Sequence, residues 1–278
     1  MLWSSVNYVF RALRWRVLLN SQKRIRPAVV FWANMAGYLG NAVLPARAGE
    51  LVRAGYISRR ENIPIVFVLA TGITERLIDL AALVMIGAAS LIFAEAFPGS
   101  IQEALEKFAV VAVAGVAFIF LLPLFHGSIQ RILAVLPLFS EGLKEKISRM
   151  LDHFVKGIKV IGRAERGVPF LFFTALIWLM DGVGTIILAG SFHETLSLAQ
   201  SFLFIAALGI SSAIPSTPGY VGVYQFVAVT ALVPFGFTRE AALALILLAQ
   251  FTNLLLVSLL GGIGLWHGTR RAIEHGER

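Results

Sequence analysis

The sequence predicts an all-α integral membrane protein: a polytopic helical bundle of two inverted repeats, each with a broken, re-entrant helical hairpin. Three observations carry that expectation. The 278 residues are 58% hydrophobic and only 14% charged, with a mean hydropathy of +0.80, whereas a soluble domain carries roughly 25% charged residues. The charges are clustered, which leaves apolar windows of about 20 residues, long enough to span a bilayer. Two polar breaks also share one frame. Pro45 and Gly49 of Leu44-Pro45-Ala46-Arg47-Ala48-Gly49-Glu50-Leu51-Val52-Arg53 recur 170 positions later as Pro215 and Gly219 of Ile214-Pro215-Ser216-Thr217-Pro218-Gly219-Tyr220-Val221-Gly222.

The same composition narrows the function. A net charge of +8 sits beside apolar spans, where Lys and Arg mark cytoplasmic loops; nucleic acid is not an expected partner. The chain has no cysteine, which removes disulfides and thiol chemistry. Its histidines show no ligand spacing, and Walker, zincin and Gly-x-Ser-x-Gly signatures are missing. No metal, cofactor or catalytic residue is therefore expected.

In chain order, residues 1–26 alternate apolar residues with Arg11, Arg14 and Arg16 and end in Lys23, Arg24 and Arg26. That pattern predicts a basic helix lying in the cytoplasmic interface. Residues 27–125 form the first repeat: an apolar run from Pro27 to Ala46, the charged break, a short segment to Glu61, a long run from Ile63 to Ala94, and a span at 108–125. Residues 126–167 read as a cytoplasmic basic loop, with Leu143, Ile147, Met150, Phe154 and Ile158 at helical spacing for a membrane surface. The second repeat, 168–268, holds a span to Ser191, the break, and a final run to Trp266; residues 269–278 are a basic tail.

Charge bias then sets the topology. The amino-terminal cluster, the 126–167 loop and the tail are all basic, so all three are expected in the cytoplasm of a plasma (inner) membrane protein. An even number of crossings must separate residue 26 from residue 126, yet three apolar units lie between them. One unit must therefore enter and leave on the same side, and 27–60 is the natural hairpin. The same count makes 196–235 a hairpin entered from the opposite face. Inverted repeats with broken elements place their site near the midplane. Glu75 and Asp79 after one break, and Gln250 and Asn253 after the other, echo the repeat.

Broken backbone at membrane depth is tolerated only inside protein or beside a watery cavity. Half-helices starting near Gly49 and Gly219 would aim free N–H groups and positive dipole ends at an anion. Arg47 and Arg53 add charge suited to forked contacts with phosphate. Ser211, Ser212, Ser216 and Thr217 add neutral donors, and Tyr224 and Gln225 lie one turn into the second half-helix. Glu50, Glu75, Arg76 and Asp79 complete the candidate substrate site. Two roles stay open for the acids: neutralising Arg47, Arg53 and Arg76, or relaying protons. Arg76 and Asp79 are spaced for an ion pair, and Asp181, alone in its span, calls for a partner such as Arg76. Gly182, Gly184, Gly261, Gly262 and Gly264 are expected at close helix contacts.

The motifs Leu-Pro-Ala-Arg-Ala-Gly-Glu-Leu-Val-Arg, Glu-Arg-Leu-Ile-Asp and Pro-Ser-Thr-Pro-Gly-Tyr-Val-Gly, in that order, resemble the flippase-like transmembrane family. That family is typified by the membrane half of lysylphosphatidylglycerol synthase, the multiple peptide resistance factor. The resemblance implies a flippase moving an anionic or aminoacylated phospholipid, or a lipid-linked precursor, between leaflets. It carries Arg47, Glu50, Arg53, Glu75, Arg76 and Asp79 onto the family's charged motifs, and Pro218, Gly219 and Gly222 onto its second break. Many members have a Glu shortly after that last glycine, where this chain has Tyr224-Gln225. The likeness is to the membrane half, so synthase activity is not implied. The partner expected is a membrane phospholipid or lipid-linked substrate, with room for a homo-oligomer and a separate lipid-modifying enzyme. The alternative is a membrane enzyme or accessory subunit acting on polyprenyl-phosphate-linked sugar lipids, with Glu50, Glu75 or Asp79 as base or metal ligand. A third reading is an assembly subunit whose buried charges are structural.

Overall fold

The computed structural model describes residues 1–44, 48–93, 123–135, 163–212 and 217–276, with separate positions between 110 and 155. The acidic connection at 95–107, most of the 108–125 span and much of the 126–167 loop lie outside the described residues. Among those described, the protein is helical throughout, without strands.

Helix α1 (Leu2–Leu19) contains no glycine or proline and closes with Arg16 in its last turn, where a cation suits the negative end of the helix dipole. The Arg16 guanidinium donates to the Ile25 carbonyl, and Asn20 Oδ1 accepts from the Ile25 amide. These bonds fold the chain back so that Pro27 opens α2 (Pro27–Val43) at the first helical position, where its missing N–H costs nothing. Helix α3 (Gly49–Glu61) stops at Asn62, whose φ of 54° is left-handed, a conformation asparagine tolerates. Pro64 follows, and α4 (Ile65–Phe93) begins.

Helices α2 and α3 form a tight antiparallel pair. A Cβ added at Gly40 would meet the Gly49 backbone, and one at Gly37 would meet Arg53 Cβ at 2.8 Å. At the other end Lys23 Nζ reaches both the Glu61 carboxylate, 3.0 Å, and its carbonyl, 2.8 Å. The start of α2 and the end of α3 are thus held together. With 17 and 13 residues, these helices measure about 25 and 20 Å at 1.5 Å per residue.

The second half repeats the plan. Helix α5 (His126–Val135) precedes it; α6 (Ala164–Gly190) is long and apolar, and α7 (Leu198–Ser211) starts on a Ser197–Gln200 capping box. A 3₁₀ turn, Pro218–Tyr220, leads into α8 (Val223–Leu232). The short helices α7 and α8 pack on each other, and α9 (Arg239–Gly276) closes the bundle. Among the described residues, Ala164–Gly190 and Arg239–Trp266 are long and apolar enough to cross a membrane. Their outer faces show Leu171, Phe172, Ile187, Leu247, Phe251 and Leu259. The 29-residue α4 has the length but carries Glu75, Arg76 and Asp79 inside it.

The packing is nearly unchanged when α1–α4 are exchanged with α6–α9. Helix α1 lies on α6; α2 lies on α9 as α4 lies on α7. Within each half the second helix packs on the first and the third, and the third on the fourth. Glycines set several of these approaches: Gly182 faces Phe202, Gly184 faces Trp3, and Gly261 and Gly264 meet the α2 backbone at Met35 and Trp32. Gly262, expected among them, has open space beside it.

Two expectations are corrected. Helix α1 is not peripheral to the bundle: Ala12, Arg14, Trp15, Leu18 and Leu19 are buried against α2, α4 and α6. Two of its arginines, Arg11 and Arg14, pair with acids of other helices. The second returning helix begins at Val223 rather than near Gly219, because left-handed residues at Gly219, Tyr220 and Gly222 interrupt it.

Candidate functional site

Six charged side chains from α1, α3 and α4 meet in one network. Arg14 of α1 grips Asp79 with both terminal nitrogens, at 2.5 and 2.9 Å, and donates to Glu75 Oε1 at 2.8 Å. Arg53 of α3 donates to the other Glu75 oxygen at 3.0 Å and to Asn34 Oδ1 of α2 at 3.3 Å. Its Nε lies 2.6 Å from Glu50 Oε2, and its guanidinium sits 4.4 Å over the Trp15 ring. The Glu50 carboxylate is shared, since its Oε1 accepts from Arg76 at 2.7 Å.

Three cations therefore face three carboxylates. The network grades from an inner part to a mouth: Arg14, Arg53 and Glu75 are almost wholly buried, while Glu50 is 26% and Arg76 34% exposed. Desolvating a charge is costly unless a partner and hydrogen bonds compensate, and forked Arg–carboxylate contacts provide both. The α-helical spacing explains the convergence. Glu75 and Asp79 lie four apart on one face of α4, which lets a single arginine from α1 hold both.

Beside the network lies a cavity of about 190 Å³ between α3 and α4, with Arg53, Gly72, Ile73, Arg76 and Leu77 in its lining. Arg53 Nη2 finds no hydrogen-bond acceptor among the described residues. It would stand 3.0 Å from a Cβ added at Gly72.

A smaller pair joins α1 to α6. Arg11 contacts Asp181 at 2.7 Å, and Asn7 donates to the same carboxylate at 2.9 Å. In the second half the ties are neutral. Gln225 of α8 donates to Gln250 of α9 at 2.5 Å; Gln250 in turn donates to the Gly219 carbonyl at 2.9 Å, and Gln225 Oε1 accepts from the Gly222 amide. Tyr220 and Tyr224 stack with ring centroids 4.8 Å apart, and Thr217 bonds to the Val221 carbonyl.

The structure thus brings together Glu50, Arg53, Glu75, Arg76 and Asp79, and separately groups Thr217, Gly219, Tyr224 and Gln225. Arg47 and Ser216 lie outside the described residues. The Arg76–Asp79 ion pair is looser than expected, at 3.7 Å, because Glu50 takes Arg76 first. Asp181 pairs with Arg11 rather than Arg76. Arg14 and Asn34 were missed. The available signal for Arg14 was the set of acids inside apolar runs, which call for buried cations, with the arginines of α1 among the candidates.

A helical bundle with charge sequestered in its interior and apolar faces outward is a membrane-embedded protein. The family comparison agrees: the chain belongs to the lysylphosphatidylglycerol synthase TM region family, whose model matches residues 1–261. It is also similar to a protein of Haloferax volcanii named glycosyltransferase AglD, 26% identical over 93% of this chain. The chain spans 46% of that relative's length. No solved structure matches.

Proposed function

We propose that the protein is a lipid transporter that moves an anionic or aminoacylated phospholipid, or a lipid-linked precursor, between leaflets. The observation that carries the reading is the exchange of α1–α4 with α6–α9 in the packing, each half built around a helix pair too short to span. Helices α3, α7 and α8, with 13, 14 and 10 residues, fall well short of the roughly 30 Å hydrocarbon core, and each pair is packed as a unit, so each pair is read as entering and leaving on one face. Lys23–Glu61 and the shared burial of Leu196 and Phe237 support the two hairpin bases. Arg53–Glu75 and Gln225–Gln250 tie each returning helix to the long helix after it, which supports equivalent halves.

In this arrangement α1 is the counterpart of α6. On that equivalence, rather than on its length of 18 residues, α1 crosses as α6 does, with Lys23, Arg24 and Arg26 at the cytoplasmic surface and Met1 on the opposite side, a departure from the cytoplasmic N-terminus expected from the charge pattern. Helix α4 then leads out, the 126–167 loop lies in the cytoplasm, and α9 returns there. This makes the halves inverted and places the breaks near the midplane. The N-terminus of α3 at Gly49 supplies backbone donors there for a phosphate. The protein works in the plasma membrane, as a homo-oligomer or beside a separate lipid-modifying enzyme.

The test is transbilayer movement of fluorescent phosphatidylglycerol in vesicles containing the purified chain. Movement absent with phosphatidylglycerol, phosphatidylethanolamine and polyprenyl phosphate probes alike would remove the reading. A second reading draws on the name of the Haloferax relative: a membrane subunit for sugar transfer onto a polyprenyl-phosphate lipid. Its mark would be glycosylated lipid formed in those vesicles with added nucleotide sugar, without transbilayer movement.

A further inference from the structure

We propose that the α3–α4 cleft is the lateral seat of the lipid, with the phosphate on Arg53 Nη2 and an acyl chain along Ile73 and Leu77. The inference rests on the transport reading and names where its cargo docks. Arg53 is 2% exposed, and four of its surroundings are assigned: Glu50, Glu75, Asn34 and the Trp15 ring. Nη2 alone has no acceptor among the described residues, and it lies over Gly72 in the lining of the cleft. A buried charged donor without an acceptor is costly, and a phosphate oxygen supplies one.

Gly72 is what opens the approach. A side chain there would place its first carbon 3.0 Å from Nη2, so glycine leaves the most room beside this buried donor. The mouth is suited to a headgroup: Arg76 is a third exposed and held by Glu50, about a quarter exposed, ready to exchange that carboxylate for a second phosphate oxygen. The rest of the rim suits a lipid rather than a free ion. Ile73 is 37% exposed, Leu77 is partly exposed beside it, and both line the cleft. Ile73 and Leu77 are four residues apart on one face of α4, an apolar track beside the charged one.

The test uses the full chain in detergent with a phosphatidylglycerol bearing a photoreactive acyl chain, and maps adducts by mass spectrometry. Adducts are expected on α4 at Ile73 and Leu77. Gly72→Leu should reduce them about tenfold or more, the loss of one hydrogen bond to a charged group. Ile73→Trp, at the exposed rim, fills the mouth without entering the core and should act likewise if Gly72→Leu does not fold. A diacylglycerol probe, which has no phosphate, should label the site weakly; competition by soluble glycerol phosphate alone at equal concentration would point to a free-phosphate site and overturn the lipid assignment. Equal labelling by both lipid probes, or labelling indifferent to both variants, would also overturn it. Transport with no cleft adducts would remove the seat and keep the transporter; cleft adducts without transport would do the reverse.

Discussion

Replacing Arg14 with alanine removes the only side chain that contacts both Glu75 and Asp79 from α1. Three hydrogen bonds to carboxylates, of 2.5, 2.8 and 2.9 Å, are lost, with a longer one to Thr174 at 3.5 Å. Glu75 keeps Arg53, but Asp79 is left with Arg76 at 3.7 Å. Removing one partner of a buried ion pair costs about 3–5 kcal/mol, because a desolvated charge remains. At roughly 2–4 °C per kcal/mol for a chain of this order of size, the melting temperature should fall by about 10 °C. The assay is thermal unfolding of the purified protein in detergent, followed by its retention as a monodisperse species. Adding Asp79→Asn to Arg14→Ala should restore part of the loss, since it removes the stranded carboxylate; the non-additivity should be about 0.5–3 kcal/mol. An Arg14→Ala variant that melts within experimental error of the unmutated protein would refute the reasoning. So would strict additivity with Asp79→Asn.

Three further outcomes are expected. Gly49→Ala should destabilise the α2–α3 pair by about 2 kcal/mol or more through overpacking, whereas Gly55→Ala, which meets nothing within 4 Å, should be neutral or stabilising by up to about 1 kcal/mol; melting of the two variants compares them directly. Because the chain has no cysteine, single cysteines report topology: Ser5→Cys should react with an impermeant reagent from outside intact cells and Lys23→Cys only after permeabilisation. The same accessibility at both positions would show that α1 does not cross, and the reversed pattern that it crosses the other way. Gln250→Leu should cost about 1–3 kcal/mol by leaving the Gly219 carbonyl and Gln225 without their partner, read as a lowered melting temperature.

Much of this organisation is legible in the sequence. The end of α2 at Val43, the start of α3 at Gly49 and the interruption between α7 and α8 follow local backbone chemistry, and the long apolar runs of α6 and α9 are hydropathy alone. The close approaches at Gly182, Gly184, Gly261 and Gly264 follow from residue type. What sequence could not supply was pairing across the bundle. Arg14 reads locally as one of several bases on an amphipathic helix; only the three-dimensional meeting of α1 with α4 makes it the clamp on Glu75 and Asp79. The same limit assigned Asp181 to Arg76, since nothing local points to Arg11 on a helix 170 residues away. Left-handed backbone at Tyr220 also escaped, because tyrosine carries no signal for it, unlike the glycines on either side.

The central claim is transport, and it is tested most directly by reconstituting the chain into phosphatidylcholine vesicles with fluorescent phosphatidylglycerol and adding a membrane-impermeant reductant. The account predicts that reduction proceeds beyond the outer-leaflet share toward the whole of the probe, and that Gly72→Leu returns it to the level of protein-free vesicles. Reduction that stops at the outer-leaflet share with the unmutated protein, for phosphatidylglycerol, phosphatidylethanolamine and polyprenyl phosphate probes alike, would contradict it.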